Sequence, residues 1–476
     1  MTRRTKIVCT LGPASSDRET IGLLVEAGMD VARLNFSHGT HDGHAAAIAL
    51  VRSVSAELGR MVAILQDLQG PKIRVGAMQN DAVLLHKGAQ VILTADDVED
   101  SDGSRIHVSY PDMAQEVGPG GRVLLDDGLL ELVVREVRGE EVYTEVIVGG
   151  ALRSNKGVHL PLLRNSRPSL TAKDIADLEF GLAHDVDIVA LSFVRSEVDV
   201  AELVGRIRAS GKSVQVIAKI EKPEAVDRVD EILAEADGLM VARGDLGIEM
   251  PLERVPTAQK RIIRRCMRVG KPVITATQML ESMMDNPRPT RAETSDVANA
   301  VLDGSDAVML SGETAAGKYP VRTVEIMSQI IVEAEKQYAL RTDLVDHAIR
   351  ARTQESVITD SVSYTAYELA EHVGAAAICC LTASGATARS IARHRPRCPV
   401  YAFTDAEHVV RQLAIVWGTK GFAIPFQYDT DHGIVSVKEL LLKNKLVAVG
   451  ERVVITAGLP LPTKGRTNMI HVSTVE

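Results

Sequence analysis

The sequence predicts an α/β protein: a (β/α)8 TIM barrel with an inserted small β-barrel domain and a C-terminal open α/β domain. Apolar segments of strand length alternate with amphipathic helical segments over most of the chain. Short alternating segments interrupt the third repeat, and a second strand–helix series follows the eighth. The length of 476 residues is enough for two or three domains.

The catalytic barrel is predicted to occupy residues 1–70 and 168–340. Apolar runs of strand length occur near residues 6–10, 30–34, 62–67, 187–191, 215–219, 238–242, 272–276 and 306–310. Amphipathic helical patterns follow them near residues 17–27, 41–58, 171–184, 197–209, 223–235, 253–269, 292–303 and 320–338. Consecutive strand–helix units of this kind form a parallel barrel, and its active site lies at the carboxyl ends of the strands.

Residues 71–167 lack a helical pattern where the third barrel helix is due. Short alternating segments, such as 122–125 and 130–134, are separated by Gly and Asp turn clusters instead. We therefore predict a small β domain inserted into a loop at the barrel mouth. Strand–helix alternation resumes in residues 345–476, which are predicted to form a C-terminal domain with its own core.

Composition limits the possible partners. The net charge of −9 argues against non-specific nucleic-acid binding, because the phosphate backbone selects basic surfaces. No apolar run approaches the roughly 20 residues that span a bilayer. The first residues also lack the apolar region of a signal peptide. We therefore expect a cytoplasmic protein without nucleic-acid or membrane partners.

Charged residues end two neighbouring apolar runs of the predicted barrel. Lys219 and Glu221 end the run 216–221, and Asp245 follows the next run. Residues two apart in a strand share a face, so Lys219 and Glu221 point the same way. Glu221 and Asp245 are oxygen ligands of the kind that Mg²⁺ takes, and Lys219 could neutralise charge on a phosphoryl group. A salt bridge that caps the strands is the alternative interpretation.

Seven different segments carry a likeness to a known family, and they are residues 5–15, 30–39, 216–221, 240–247, 275–283, 287–299 and 309–314. Through these motifs the sequence resembles the pyruvate kinase family closely and over its full length. The inserted domain matches more weakly, through residues 70–71 and 155–158. The resemblance implies a phosphotransferase of glycolysis that moves the phosphoryl group of phosphoenolpyruvate to ADP, giving pyruvate and ATP. It also implies a homotetramer.

The resemblance implies a role for each matching residue at the mouth. Lys219 would stabilise the phosphoryl group in transfer, and Thr277 and Ser311 lie where the family delivers a proton to the enolate carbon. Glu221 and Asp245 would bind Mg²⁺ or Mn²⁺. The implied substrate-binding residues are Arg33, Lys219, Gly244, Asp245 and Thr277. The implied nucleotide-binding residues are Asn35, Phe36, Ser37, His38, Arg74 and Lys156, and the inserted domain would act as a lid that excludes water.

One position departs from the common family pattern. The family's glutamate near a bound K⁺ is replaced here by Lys72, while the equivalents of the K⁺ ligands are Asn35, Ser37, Asp67 and the Leu68 carbonyl. A lysine ammonium could place its charge where K⁺ would sit, as in the lysine-bearing, K⁺-independent bacterial group of the family. We therefore expect a catalytic role for Lys72 and no K⁺ requirement. In the alternative, Lys72 points to solvent and K⁺ still binds.

Residues 381–389 follow a strand and open a helix in the predicted C-terminal domain. Hydroxyls, glycine and helix N–H groups make a cradle for an anion. The resemblance implies an allosteric phosphate site here, with AMP or a sugar phosphate as the effector. The candidate effector residues are Thr382, Ser384, Gly385 and Thr387, assisted by Arg466. A helix N-cap without a ligand is the alternative.

Two other functions stay open on the residues alone. A Mg²⁺-dependent barrel aldolase or lyase acting through a pyruvate enolate would share the metal and enolate features, but it needs no nucleotide lid. A non-catalytic metabolite sensor would share the fold, although the intact set of Lys219, Glu221 and Asp245 disfavours it.

Overall fold

The computed structural model describes residues 3–161, 168–337, 354–425, 429–459 and 467–476. Its centre is a closed barrel of eight parallel strands, as predicted. The strands are Lys6–Thr10, Val31–Asn35, Ala63–Asp67, Ile188–Leu191, Gln215–Ile220, Gly238–Ala242, Val273–Ala276 and Ala307–Leu310. They are buried along nearly their whole length, because the barrel interior covers one face and the helices cover the other.

The barrel helices lie close to their predicted positions. They are Arg18–Ala27, His41–Leu58, Ala172–Ala183, Glu197–Ala209, Pro223–Asp227, Val229–Glu235, Arg243–Glu249, Val255–Val269, Arg291–Asp303, Gly312–Ala315 and Pro320–Glu335. The helix predicted over 223–235 is two helices, because Arg228 leaves the helical region with φ −101° and ψ 25°. The short helices Arg243–Glu249 and Gly312–Ala315 follow strands directly and place polar residues at the mouth.

The inserted domain is an all-β unit around one apolar core. Its strands are Ala82–Leu85, Gln90–Thr94, Arg105–His107, Arg122–Leu125, Leu130–Arg138, Glu141–Val148, Gly150–Arg153 and Val158–His159. Six of them form one sheet, and the remaining two, Ala82–Leu85 and Gly150–Arg153, pair with each other. A short helix, Met113–Glu116, packs beside the six-stranded sheet.

The C-terminal domain is an open five-stranded sheet, also as predicted. Its strands are Ala377–Leu381, Val400–Thr404, Thr419–Ala423, Arg452–Ala457 and Met469–Thr474, and its helices are Gln354–Val373, Ala386–Ala392, Glu407–Gln412 and Thr430–Lys443. Only Met469–Thr474 runs antiparallel to its neighbour. The predicted boundary at residues 340–345 and Arg466 lie outside the described residues. Among the described residues, no helix is long and apolar enough to cross a membrane.

Candidate active site

Lys219 lies at the centre of the barrel mouth, near the end of the strand Gln215–Ile220. Its Nζ is 3.1 Å from Asp67 Oδ1 and 3.0 Å from Glu221 Oε1, and it donates to Ser192 Oγ at 2.7 Å. Burial alone would lower the pKa of Lys219, but the two carboxylates raise it above its ordinary value. The side chain therefore carries a fixed positive charge at the mouth.

Asp67 holds a second cation on its other oxygen. Arg33 Nε donates to Asp67 Oδ2 at 2.7 Å, and Arg33 Nη1 donates to Thr10 Oγ1 at 2.9 Å. Burial would raise the pKa of Asp67, yet Lys219 and Arg33 hold it below its usual value. The buried Asp67 thus fixes two positive side chains in one place, where they could receive an anionic substrate.

Glu221 and Asp245 form the acidic side of the mouth. Phe193 N donates to Glu221 Oε2 at 2.8 Å. Burial raises the pKa of Glu221, and the nearby charge of Asp245 adds to that rise, although Lys219 opposes both. Glu221 is buried and Asp245 is half-buried. Two carboxylates that repel each other in this way are a donor set that suits a hard divalent cation, because the cation would remove the repulsion.

Thr277 is held in a strained conformation beside the helix Arg243–Glu249. Its φ of +66° is rare for a β-branched residue, and the next residue, Gln278, also has a positive φ of +53°. Gly244 N donates to Thr277 Oγ1 at 2.8 Å, and Arg243 Nη2 donates to the Thr277 carbonyl at 2.7 Å. These contacts keep the Thr277 hydroxyl next to the Gly244 amide.

Ser311 follows the last barrel strand and has an unusual environment. Its backbone N–H donates to Glu313 Oε2 at 2.7 Å, while Glu313 Oε1 accepts from Leu280 N at 3.1 Å. Its Oγ is buried and finds no hydrogen-bond partner among the described residues. A buried hydroxyl without a partner is available to a substrate or to a bound water.

The nucleotide candidates come from the barrel and from the inserted domain. Arg74 Nη1 donates to the Asn155 carbonyl at 2.8 Å, and Lys156 Nζ lies 2.8 Å from Asp126 Oδ1, so both cations are anchored within the inserted domain. Burial is the largest cause of the lowered pKa of His38, and the charges of Arg74, Lys72 and Arg33 lower it further. The basic end of the inserted domain therefore lies close to the barrel loop that contains His38.

The barrel loop itself is shaped by local contacts. Asn35 Oδ1 accepts from Ser37 N at 3.1 Å, which closes the turn after the second strand. The Phe36 ring is 3% exposed and stacks on His44 with their centroids 4.1 Å apart. Phe36 therefore packs into the protein, and Asn35, Ser37 and His38 supply the polar surface of the loop.

Two residues of the candidate K⁺ site, Asp67 and Leu68, are already paired with neighbours. The Leu68 carbonyl accepts from Ser192 Oγ at 2.6 Å, and Asp67 is paired with Arg33 and Lys219. Among the described residues, Lys72 has no ion-pair partner. Its side chain lines a pocket with Phe193 and Glu249 between the barrel and the inserted domain, and its charge contributes to the lowered pKa of His38.

The effector candidates form a tight turn at the start of the helix Ala386–Ala392. Thr382 Oγ1 accepts from Gly385 N at 3.0 Å, and Gly385 has the positive φ of +74° that the turn requires. Ser384 is exposed, whereas the Thr387 hydroxyl is buried and 2.6 Å from Thr467 Oγ1. Thr382 and Ser384 are thus nearer to solvent than Thr387.

Two residues of the mouth were missing from the sequence prediction. Ser192 bridges Lys219 and the Leu68 carbonyl, and Phe193 N donates to Glu221. Ser192 and Phe193 directly follow the fourth strand, Ile188–Leu191, so their position at a strand end was a signal that the sequence contained.

Comparison with known proteins settles the family. A model of the pyruvate kinase barrel domain matches residues 2–324, and a model of the pyruvate kinase alpha/beta domain matches residues 360–473. The chain belongs to the pyruvate kinase family. It is 49% identical to a pyruvate kinase of Mycobacterium tuberculosis over 99% of this chain and 98% of the relative. It is 46% identical to the pyruvate kinase of Geobacillus stearothermophilus over 100% of this chain and 81% of the relative.

A third relative gives the same result: the pyruvate kinase of Corynebacterium glutamicum is 49% identical over 99% of this chain and 98% of its own length. The predicted fold, family and pyruvate kinase function are confirmed, and the chain is a phosphotransferase. The family uses a divalent metal, in agreement with the carboxylate pair. The aldolase or lyase and the metabolite sensor are not favoured.

Proposed function

We propose that this chain transfers the phosphoryl group of phosphoenolpyruvate to ADP at the barrel mouth, with Lys219 as the central catalytic residue. The observation that carries the proposal is the position of the Lys219 ammonium, within 3.1 Å of Asp67, Glu221 and Ser192. Arg33 and Lys219 bind the phosphate group of the substrate. The backbone N–H groups of Gly244 and Asp245, at the start of a short helix, receive its carboxylate. Thr277 completes the substrate site.

Phosphoryl transfer needs positioning and positive charge more than it needs a protein nucleophile. An oxygen of the ADP β-phosphate attacks the phosphorus atom, and the bond from phosphorus to the enolate oxygen breaks. Negative charge spreads over the transferring group and the leaving enolate, and Lys219 and Arg33 oppose it in a buried environment. Glu221 and Asp245 hold Mg²⁺ or Mn²⁺, which supplies further charge neutralisation when bound.

The enolate then takes a proton at carbon to give pyruvate. Thr277 and Ser311 lie at the mouth with hydroxyls suited to this step. Ser311 Oγ is buried and unpartnered among the described residues, and the Thr277 hydroxyl donates to the Ala276 carbonyl at 2.7 Å. We assign the proton delivery to these two hydroxyls, with a water between them and the enolate carbon.

The remaining assignments concern the nucleotide, the monovalent cation and the assembly. The nucleotides ADP and ATP bind to Asn35, Ser37, His38, Arg74 and Lys156, and the inserted domain excludes water. Phe36 supports the loop after the second strand by packing.

Lys72 replaces K⁺, so the enzyme does not require K⁺. The C-terminal turn containing Thr382, Ser384, Gly385 and Thr387 binds AMP or a sugar phosphate, and the working form is a cytoplasmic homotetramer.

A coupled assay tests the central proposal. Pyruvate formed from phosphoenolpyruvate is measured with Mg²⁺, with and without ADP, and ATP is measured in the same samples. We expect pyruvate and ATP to appear in equal amounts and only with ADP. Pyruvate formed at the same rate without ADP would contradict phosphoryl transfer to the nucleotide and would favour a lyase.

A further inference from the structure

A buried polar cluster joins the inserted domain to the barrel at the edge of the active site. It consists of His159, Lys222 and Glu249, which we call the lid latch. Lys222 Nζ is 2.6 Å from Glu249 Oε1, and His159 Nδ1 is 3.6 Å from the same oxygen. The three side chains are only 4–11% exposed. Polar side chains are rarely buried this deeply without a structural or functional reason.

Each member of the lid latch is placed next to a different part of the catalytic site. His159 belongs to the last strand of the inserted domain, Val158–His159. Lys222 directly follows the metal candidate Glu221. Glu249 is the last residue of the helix Arg243–Glu249, which carries the substrate candidates at its other end. Two contacts that share Glu249 therefore connect the inserted domain, the residue next to Glu221 and the substrate helix.

The first and last described segments of the inserted domain pair beside the latch. Val158 N donates to the Ile73 carbonyl at 2.9 Å. The latch residues, together with Lys72 and Phe193, line one pocket between the two domains. Phe193 N donates the hydrogen bond that orients Glu221. Displacement of the latch would therefore shift Phe193 and, through it, the metal candidate Glu221.

We propose that His159, Lys222 and Glu249 are positioning residues that link the position of the inserted domain to the geometry of Glu221 and of the substrate helix. In this arrangement Glu249 is the shared acceptor, Lys222 fixes it from the metal side, and His159 reaches it from the lid. Loss of the latch leaves the chemical groups in place but loosens the lid, so the site closes less completely around ADP.

A double-mutant cycle across the domain boundary tests the latch, using His159→Leu on the lid, Lys222→Met on the barrel and the double variant. We expect each single substitution to lower kcat/KM for ADP about tenfold, and the double variant to lose little more than either one. The KM for ADP should carry most of the loss, because a loose lid encloses ADP less completely. A purely structural defect would instead lower the amount of active enzyme and leave KM unchanged.

Water leakage provides the second measurement. With a loosened lid, water attacks the phosphorus atom in place of ADP, the bond to the enolate oxygen breaks, and the enolate takes a proton to give pyruvate. Inorganic phosphate released per pyruvate should therefore rise about threefold or more in the latch variants. Glu202→Gln is the matched control, because Glu202 pairs with Arg206 on an exposed helix face and should change neither quantity.

The inference rests on the proposed function, and the two fail in different ways. If the unsubstituted enzyme forms no ATP from phosphoenolpyruvate and ADP, the proposed function is wrong. If it forms ATP but the losses of the two single variants multiply in the double variant, with phosphate release unchanged, the latch is wrong. Should Lys222→Met not fold, Glu249→Gln replaces it in the same cycle, because it keeps the side-chain shape.

Discussion

Lys219 meets two demands that usually conflict, because it is buried and yet stays charged. The carboxylates of Asp67 and Glu221 compensate for its lost hydration, and Ser192 Oγ accepts a hydrogen bond from its Nζ. We predict that Lys219→Met lowers kcat about 10³-fold or more, because the substitution removes charge stabilisation in the transition state. Phosphoenolpyruvate binding, measured by calorimetry without ADP, should weaken far less than kcat falls, because Arg33 still binds the phosphate group. Turnover close to that of the unsubstituted enzyme would exclude the role of Lys219.

Lys72 allows a prediction about monovalent cations. Activity should differ by less than about twofold between potassium and tetramethylammonium salts at equal ionic strength, since a fixed ammonium supplies the charge. Lys72→Glu should lower activity in tetramethylammonium salts and regain it with K⁺, because the glutamate would create the negative site that K⁺ balances. Strong activation of the unsubstituted enzyme by potassium would mean that Lys72 does not replace K⁺.

At the scale of elements, the start of the helix Arg291–Asp303 depends on one carboxylate. Glu293 accepts from Thr290 N and from Ser282 N, both at 2.7 Å, and so ties the helix to the loop that follows the seventh strand. Burial would raise the pKa of Glu293, but the donors on Ser282 and Thr290 lower it below the ordinary 4.5. The carboxylate therefore stabilises the fold above pH 4.5, and this contribution is lost as the pH falls through the lowered folded-state pKa.

Replacement of Glu293 tests this pH dependence. Glu293→Gln should lower the unfolding free energy by about 1 kcal/mol at pH 7, and the difference from the unsubstituted protein should shrink at pH values below 4.5. Thermal unfolding over a pH series gives the comparison, with Glu325→Gln as a control on an exposed helix pair. A difference that stays constant at acid pH would show that the carboxylate charge is not the cause.

The sequence allowed the elements to be predicted better than the contacts between them. The period of apolar residues places Lys219 and Glu221 at a strand end, and strand ends of a parallel barrel meet at one mouth. The positive φ of Thr277 has no such local pattern, because Arg243 and Gly244, which are distant in the sequence, hold this residue. The strand-end position of Ser192 could be read from the sequence, but its contacts with Lys219 and Leu68 could not, because these partners belong to other parts of the barrel.

At the scale of the whole molecule, one buried and one half-buried ion pair join the C-terminal domain to the amino-terminal side of the barrel. Arg411 Nε is 2.7 Å from Asp187 Oδ1, and Arg395 Nη1 is 3.0 Å from Asp306 Oδ1. Both aspartates precede barrel strands, whose other ends form the active site. These contacts are a physical route by which the C-terminal domain could influence the strands that lead to Ser192 and Ser311 at the mouth.

Arg395 is the sharper test of this connection, because its side chain is 3% exposed and also stacks over Trp417 at 4.8 Å. Arg395→Met leaves the buried Asp306 without its cation, and such a loss costs about 3 kcal/mol. We expect the unsubstituted protein to unfold in one calorimetric transition and Arg395→Met in two, with the C-terminal domain melting first, since the ion pair no longer couples the domains. Arg397→Met is the control, because Arg397 is largely exposed and pairs with Glu371 within the same domain. A single, unshifted transition in Arg395→Met would mean that the domains are coupled by their apolar contacts and that the buried pair contributes little.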